Sequence, residues 1–289
     1  MSLRAQLWLV FLLPVAIIAA LYGLGLAIPM PHLGRGYVIT IALPDGGQAV
    51  DLPEIYGPPD RSRPLVVIDA GHGGKDPGAS GPGLREKTLA LGLALALKDA
   101  LIAQGGVRVA LTREDDRFLV LEERSEIARL LEADLFISIH ADSAGESSGV
   151  SGASIYTLSA EASSEAAARF AERENNADRV NGVNVAAQSD AVSSILVELA
   201  QRRVQERSAE FAGLVVREGA GTLGFHPQAR RSAALAVLRA PDVPAVLYES
   251  GYITNPADVA RLTSPEGQQA FAQVMARAIR IYFARQGGE

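Results

Sequence analysis

The sequence predicts an α/β protein: a single catalytic domain with a twisted, mostly parallel sheet flanked by helices on both faces, preceded by an apolar N-terminal export helix. Three observations predict it. From about Leu65 onward, short β-branched runs alternate with amphipathic segments of helical period, which is the pattern of strand and helix in turn. Three of the apolar runs end at a side chain suited to chemistry: one in the glycine-rich turn at His72, one at His140 and one at Glu249. Finally, Leu7 to Met30 contains no charged side chain and follows Arg4, the pattern of a signal peptide or a single membrane anchor.

Composition narrows the function classes. The 289-residue chain carries a formal net charge of -6, which argues against a nucleic-acid partner bound through bulk positive charge. It has no cysteine, so disulfides, thiolate metal sites and cysteine nucleophiles are excluded. Any metal must be held by nitrogen and oxygen.

Taken in order, residues 1–30 form the export segment. Tyr37 to Ala42 and Gln48 to Leu52 read as a hairpin around Pro44-Asp45-Gly46-Gly47. Pro53 to Pro64 reads as a proline-rich linker, so the domain is expected over 65–286. A buried strand from Leu65 opens it, followed by a helix from Glu86 to Gln104 with Leu89, Leu93, Leu97 and Leu101 on one stripe and Gly105-Gly106 at its end. Strands at Val107 to Leu111 and Leu135 to Ile139 bracket a helix over Leu121 to Leu131. Then come a strand at Ala153 to Leu158, an alanine-rich helix at Ser163 to Val180, a polar loop at Asn181 to Asp190 and a long helix from Ser193 to Glu218. Strands at Ala234 to Leu238 and Ala245 to Tyr248 and a closing helix at Glu266 to Ala284 complete the chain.

The turn Gly71-His72-Gly73-Gly74-Lys75-Asp76-Pro77-Gly78 is not a phosphate loop, because Lys75 is followed by Asp76 rather than Ser or Thr. The dinucleotide pattern fails as well, with Asp76 in the place of its third glycine. Ligand sites in open α/β sheets form at the carboxyl ends of strands, where His72, His140 and Glu249 all fall. Two histidines and a carboxylate suit a catalytic zinc, which takes three N or O ligands and keeps a position for water, while a separate carboxylate takes the proton. Asp69, Asp76, Glu86, Asp142 and Glu249 are all near these turns, and spacing alone does not choose among them.

The run from Ile68 to Ala79, then Glu86-Lys87, Thr112-Arg113, Asp134 to Asp142 and the turn at Glu249 resemble the zinc-dependent N-acetylmuramoyl-L-alanine amidases of the amidase_3 family, over about Leu65 to Tyr282. The resemblance implies that His72, Glu86 and His140 bind Zn2+, that Glu249 is the catalytic carboxylate, and that the substrate is the amide between N-acetylmuramic acid and L-alanine in peptidoglycan. The segment about 163–180 resembles the inhibitory helix of the division-associated members, in which a glutamate fills the open zinc position until a LytM-type activator withdraws it. Glu174 is the candidate for that ligand and Glu172 the alternative. The last motif reads Tyr-Glu-Ser-Gly-Tyr-Ile-Thr-Asn where the family more often has Val-Glu-x-Gly-Phe-x-Ser-Asn, a conservative departure that keeps Glu249. The stretch before the domain is too short for a separate wall-targeting module. The expected location is the periplasm or cell envelope, with inner-membrane anchoring if the N-terminal segment is uncleaved.

Each residue also has a plainer reading. Glu86 is placed to serve as a helix-start acid, Glu249 as a partner of Arg239, His226 as a loop residue, and the acidic face around Glu172 as solvated surface. Asp142 either orients His140 from behind or touches zinc itself.

Overall fold

The computed structural model describes residues 12, 52–81, 83–145, 149–177, 179–180, 183–184 and 195–287. Apart from Leu12 and Leu52, the expected export helix and hairpin lie outside them. Among the described residues no helix is long and apolar enough to cross a membrane.

The chain forms β1 (Ile55–Tyr56), β2 (Leu65–Ala70), β3 (Ser80–Gly81), β4 (Leu84–Arg85), α1 (Glu86–Gln104), β5 (Arg108–Leu111), α2 (Leu121–Leu130) and β6 (Leu135–His140). It continues through β7 (Ala153–Leu158), α3 (Glu165–Asn175), β8 (Arg179–Val180), β9 (Val183–Asn184), α4 (Ile195–Gly219) and β10 (Phe225–Ala233). A 3-10 turn at Ala236–Leu238, then β11 (Ala245–Glu249), α5 (Pro256–Thr263) and α6 (Pro265–Gln286) end it.

Seven strands make one sheet in the order β1-β5-β2-β6-β11-β7-β10. The central strands β5, β2, β6 and β11 run parallel, β7 is antiparallel to β11, and β10 runs parallel to β7. Strand alternation sends Val66, Ile68, Ile137, Val246 and Tyr248 to one core, with residues of α1, α4 and α6. Val67, Phe136, Tyr156 and Leu247 go to the other, with residues of α2, α3 and the 3-10 turn. Helices therefore cover both faces, as expected. Helix α1 shows why sequence finds such elements: its four-leucine stripe is buried, worth about 1.5–3 kcal/mol per side chain. Gly105 then ends it at φ 68, a conformation that glycine adopts without strain.

Four expectations need correction. Ala234 to Leu238 is not a strand; its last three residues form the 3-10 turn, and the neighbouring strand is β10. The stretch read as a linker supplies the edge strand β1, paired antiparallel to β5 at Ile55↔Ala110 and Tyr56↔Val109. The helix expected over Ser163 to Val180 ends at Asn175, and Arg179–Val180 pairs with Val183–Asn184 inside the expected polar loop. Helix α5 was not expected, although Asn255 accepts hydrogen bonds from the Ala257 and Asp258 N–H groups and Pro256 opens the first turn.

Candidate active site

The site lies at the carboxyl ends of β2, β6 and β11, and its first arm is a clamped turn. His72 has φ 60, an uncommon conformation for a residue with a side chain. Two buried arginines hold it there. Arg113 donates from Nε to Ala70 O (2.8 Å) and from Nη2 to Gly71 O (2.7 Å). Arg124 donates from Nη1 to Ala70 O (2.9 Å) and from Nη2 to His72 O (2.8 Å). Asp69 anchors the clamp, taking Arg124 Nη1 at 2.8 Å, the Thr112 hydroxyl at 2.6 Å and the Ser138 hydroxyl at 2.7 Å. Burial pushes the Asp69 carboxyl up, but Arg124 and these hydroxyls outweigh it and hold the group below the usual carboxylate range. Asp69 is thus fully engaged in structure.

The turn's glycines serve the ligands directly. A Cβ on Gly71 would sit 2.5 Å from His140 Nε2, and one on Gly78 would sit 2.6 Å from Glu86 Oε2 and from His72 Cδ2. Only glycine lets the main chain approach the ring and the carboxylate this closely.

Four potential ligand atoms converge above these strand ends. His72 Nδ1 lies 2.7 Å from Asp76 Oδ2, which sets Nδ1 as the protonated nitrogen and leaves Nε2 facing the cluster. From Nε2 the distances are 3.1 Å to Glu86 Oε1 and 3.6 Å to Glu174 Oε2. From His140 Nδ1 they are 3.1 Å and 3.3 Å to the same two atoms. Glu86, the first residue of α1, is fixed by the Ala79 N–H donating to Oε2 (2.7 Å) and the Ala141 N–H donating to Oε1 (2.9 Å). Glu174 arrives on α3, where Ala167, Phe170, Ala171 and Glu174 share the buried stripe; Glu172 is on the exposed face.

The set fits a metal ion. A tetrahedral ion with bonds of about 2.0–2.1 Å places its ligands about 3.3 Å apart, and the four distances above bracket that value. His72 Nε2 is buried with no hydrogen-bond partner, as a ligand atom awaiting an ion would be. The pocket also draws positive charge. Burial disfavours a proton on His72, yet the carboxylates of Glu86, Asp76 and Glu174 raise its proton affinity well above normal. Burial likewise opposes charge on Glu86, but His72 and His140 pull its pKa far below the usual range.

Glu249 ends β11 beside His140 on β6 and Ser154 on β7. Its Oε2 accepts the Asp142 N–H at 2.9 Å, while Oε1 is buried without a hydrogen-bond partner. Burial, then the carboxylates of Asp142, Glu86 and Glu174, push its pKa well above normal. Among the described residues it makes no ion pair, so Arg239 is not its counter-ion. Both carboxylate oxygens of Asp142 face Arg173 Nη2 at 2.8 Å, and its main-chain N–H donates to Glu249. His226 sits on β10 rather than in a loop, its Nδ1 taking Arg231 Nη2 at 2.8 Å. The clamping arginines were missed as site residues. The usable signal was an arginine on the buried stripe of an amphipathic helix, Leu121, Arg124, Ile127 and Ala128.

Two imidazoles and buried carboxylates at the carboxyl ends of parallel strands, with one further carboxylate alongside, form a donor set that could hold a metal ion in an α/β hydrolase. Comparison narrows the class. Residues 66–280 match the N-acetylmuramoyl-L-alanine amidase family, Amidase_3, and the chain belongs to it. It is 37% identical over 222 residues to the N-acetylmuramoyl-L-alanine amidase AmiC of Neisseria meningitidis serogroup B, a match covering 76% of this chain and 53% of that one. It is 35% identical over 224 residues to the amidase AmiA of Salmonella typhimurium, covering 77% of each. Among solved structures, the amidase AmiC2 of Nostoc punctiforme is similar at a TM-score of 0.55 and 30% identity, covering 76% of this chain and 97% of that one. The chain thus spans about half the length of the Neisseria relative and about three quarters of the Salmonella one.

Proposed function

We propose that the chain is a zinc-dependent peptidoglycan amidase that hydrolyses the bond between the lactyl carbonyl of N-acetylmuramic acid and L-alanine, and that it is held off by its own helix α3. His72, Glu86 and His140 are the residues that would hold the ion. When bound, zinc supplies a Lewis acid and lowers the pKa of water at the site. Glu249 Oε1, buried and unpartnered, takes the proton from the attacking water as the C–O bond forms. The same carboxyl passes a proton to the alanine nitrogen as the C–N bond breaks. Its raised proton affinity, set by burial and the neighbouring carboxylates, suits a group that both accepts and returns a proton. Asp76 keeps His72 in the tautomer that offers Nε2, and the Asp142 N–H keeps Glu249 beside the ligands.

Glu174 occupies the place that water and substrate need. An off state follows from simple occupancy, and a partner binding α3 away from the sheet would shift the population. A LytM-type activator is the proposed partner. The apolar segment at Leu7 to Met30 supports export to the periplasm, with or without an anchor.

The convergence of the four ligand atoms beside Glu249 carries this reading. Purified sacculi incubated with the full chain and with Glu174→Ala, with and without a zinc chelator, test it. The expected result is zinc-dependent release of free stem peptides from intact glycan strands, at least tenfold faster with Glu174→Ala. Loss of only a terminal D-alanine would sink the amidase reading, and equal rates with zinc bound in both would sink the occupancy reading.

A further inference from the structure

On the sheet face that α3 covers, which also carries Glu249, an arginine sits without a counter-ion. Arg231 is 8% exposed, and among the described residues no carboxylate pairs with it. Its neighbours are neutral. Nη1 donates to the Tyr156 hydroxyl (3.0 Å), Nη2 to His226 Nδ1 (2.8 Å) and Nε to Gln228 O (3.1 Å), and the Tyr252 phenol also interacts with it. A charge buried among neutral groups is costly unless an anion visits it.

A second, independent observation lies in the same strip. Ser154 is 1% exposed, and its hydroxyl has no hydrogen-bond partner. By register Ser154 is directly opposite Glu249 on the same face, and Tyr156, two residues on, is opposite both Leu247 and Arg231. A row of hydroxyls, that of Ser154 unpartnered and that of Tyr156 bonded to Arg231, therefore runs from the reacting carboxylate to the unpaired cation. It is two strands and two residues long, about 12 Å between main chains at about 4.8 Å per strand and about 3.3 Å per residue. The arginine side chain and two residues of an extended peptide close that span. Helix α3 roofs the strip: the Phe170 ring lies 4.6 Å from the Tyr156 ring, so the helix that brings Glu174 to the metal ligands also shields these donors.

We propose that Arg231, with the Tyr156 and Tyr252 phenols and the Ser154 hydroxyl, forms a subsite that receives a free carboxylate from the peptide following the scissile amide, and so selects acidic over amidated stem peptides. The inference rests on the amidase reading above. Given that reading, the anion can come only from the peptide side, because the N-acetylated sugars are uncharged and the lactyl carboxyl is consumed in the amide. Burial keeps both phenols protonated, so each accepts from Arg231 while keeping an O–H to donate.

The test uses the full chain carrying Glu174→Ala and two soluble muramyl tripeptides that differ only in a free carboxylate or a carboxamide on the residue after alanine. The acid is expected to be cut with a kcat/KM at least about tenfold higher, as for a charge-assisted hydrogen bond. Adding Arg231→Gln should collapse that ratio to near one by lowering kcat/KM for the acid far more than for the amide; Arg231→Lys, which keeps the charge, should retain part of the preference. An equal loss on both substrates would make Arg231 a structural pillar and overturn the subsite, as would a parent enzyme without preference. Calorimetry of the zinc-stripped chain with the two product tripeptides, acid and amide, reads the same preference without turnover. If neither tripeptide is cut, the amidase reading falls, and the calorimetry still decides the subsite.

Discussion

Four buried hydrogen bonds from Arg113 and Arg124 fix the main chain at residues 70–72, whereas α3 brings Glu174 to the same ligand cluster on a handful of side-chain contacts. Those contacts are the Ser164 cap, the Phe170 ring on Tyr156, Asn175 bridging Ala234 O (2.8 Å) and Ala236 N (2.7 Å), and the Arg173–Asp142 pair, beside a short buried stripe of Ala167, Phe170 and Ala171. The first arm is anchored through a carboxylate with no exposure at all; the second ends in an arginine side chain that is 51% exposed. On the occupancy reading proposed above, one arm stays and the other leaves, so a switch would act on the helix and spare the ligand set of His72, Glu86 and His140.

The sharpest way to break the contrast is Asp69→Ala. It leaves the Arg124 guanidinium buried without its carboxylate, a change that typically costs about 3–5 kcal/mol. Urea unfolding of the full chain should show a loss of that size. A loss under about 1 kcal/mol would mean that the backbone carbonyls alone hold Arg124, and the two arms would then differ far less than their geometry suggests.

Asp76→Asn probes the permanent arm more gently. The 2.7 Å contact to His72 Nδ1 becomes neutral and the imidazole tautomer is less firmly set. Loss of such an outer partner lowers metal affinity about 10–100-fold. Competition with a chromophoric chelator measures it, and unchanged affinity would show that the clamped main chain orients His72 unaided.

The same contrast explains what could be read in the sequence. The permanent arm was legible because its parts are local: β-branched runs ending in a glycine turn, and a leucine stripe beginning at Glu86. Its strand ends also carry His72, His140 and Glu249, which sheet register alone brings together. The region flanking α3 was misread. Leu235 to Leu238 is a short buried apolar run without periodicity, which sequence cannot tell from a strand. It turns instead because Asn175 bonds both Ala234 and Ala236 across 59 and 61 residues. Strand β10 hid behind Pro227 and a polar run, and a register shift between Phe225 and Arg230 is what accommodates that segment at the sheet edge. Choosing Glu174 over Glu172 needed helical phase, which the Ala167-Phe170-Ala171 stripe does supply.

Arg173→Ala tests the releasable arm with the smallest expected effect. Its guanidinium reaches both Asp142 oxygens at 2.8 Å, a favourable geometry, but the side chain is half in water, where such a pair is worth about 0.2–1 kcal/mol. If α3 docks and undocks as a unit, that free energy converts to a rise in the undocked fraction, and hence in basal activity on sacculi, of about 1.4- to 5-fold. Stability to urea should fall by about 0.2–1 kcal/mol, the worth of the pair, with Asp142 the one buried group left without its counter-ion. High salt should bring the parent chain toward the variant, because screening weakens the same pair. A rise approaching that of Glu174→Ala would instead make Arg173 the principal anchor of the helix, and the contacts of Phe170 and Asn175 would then be consequences of docking rather than its cause.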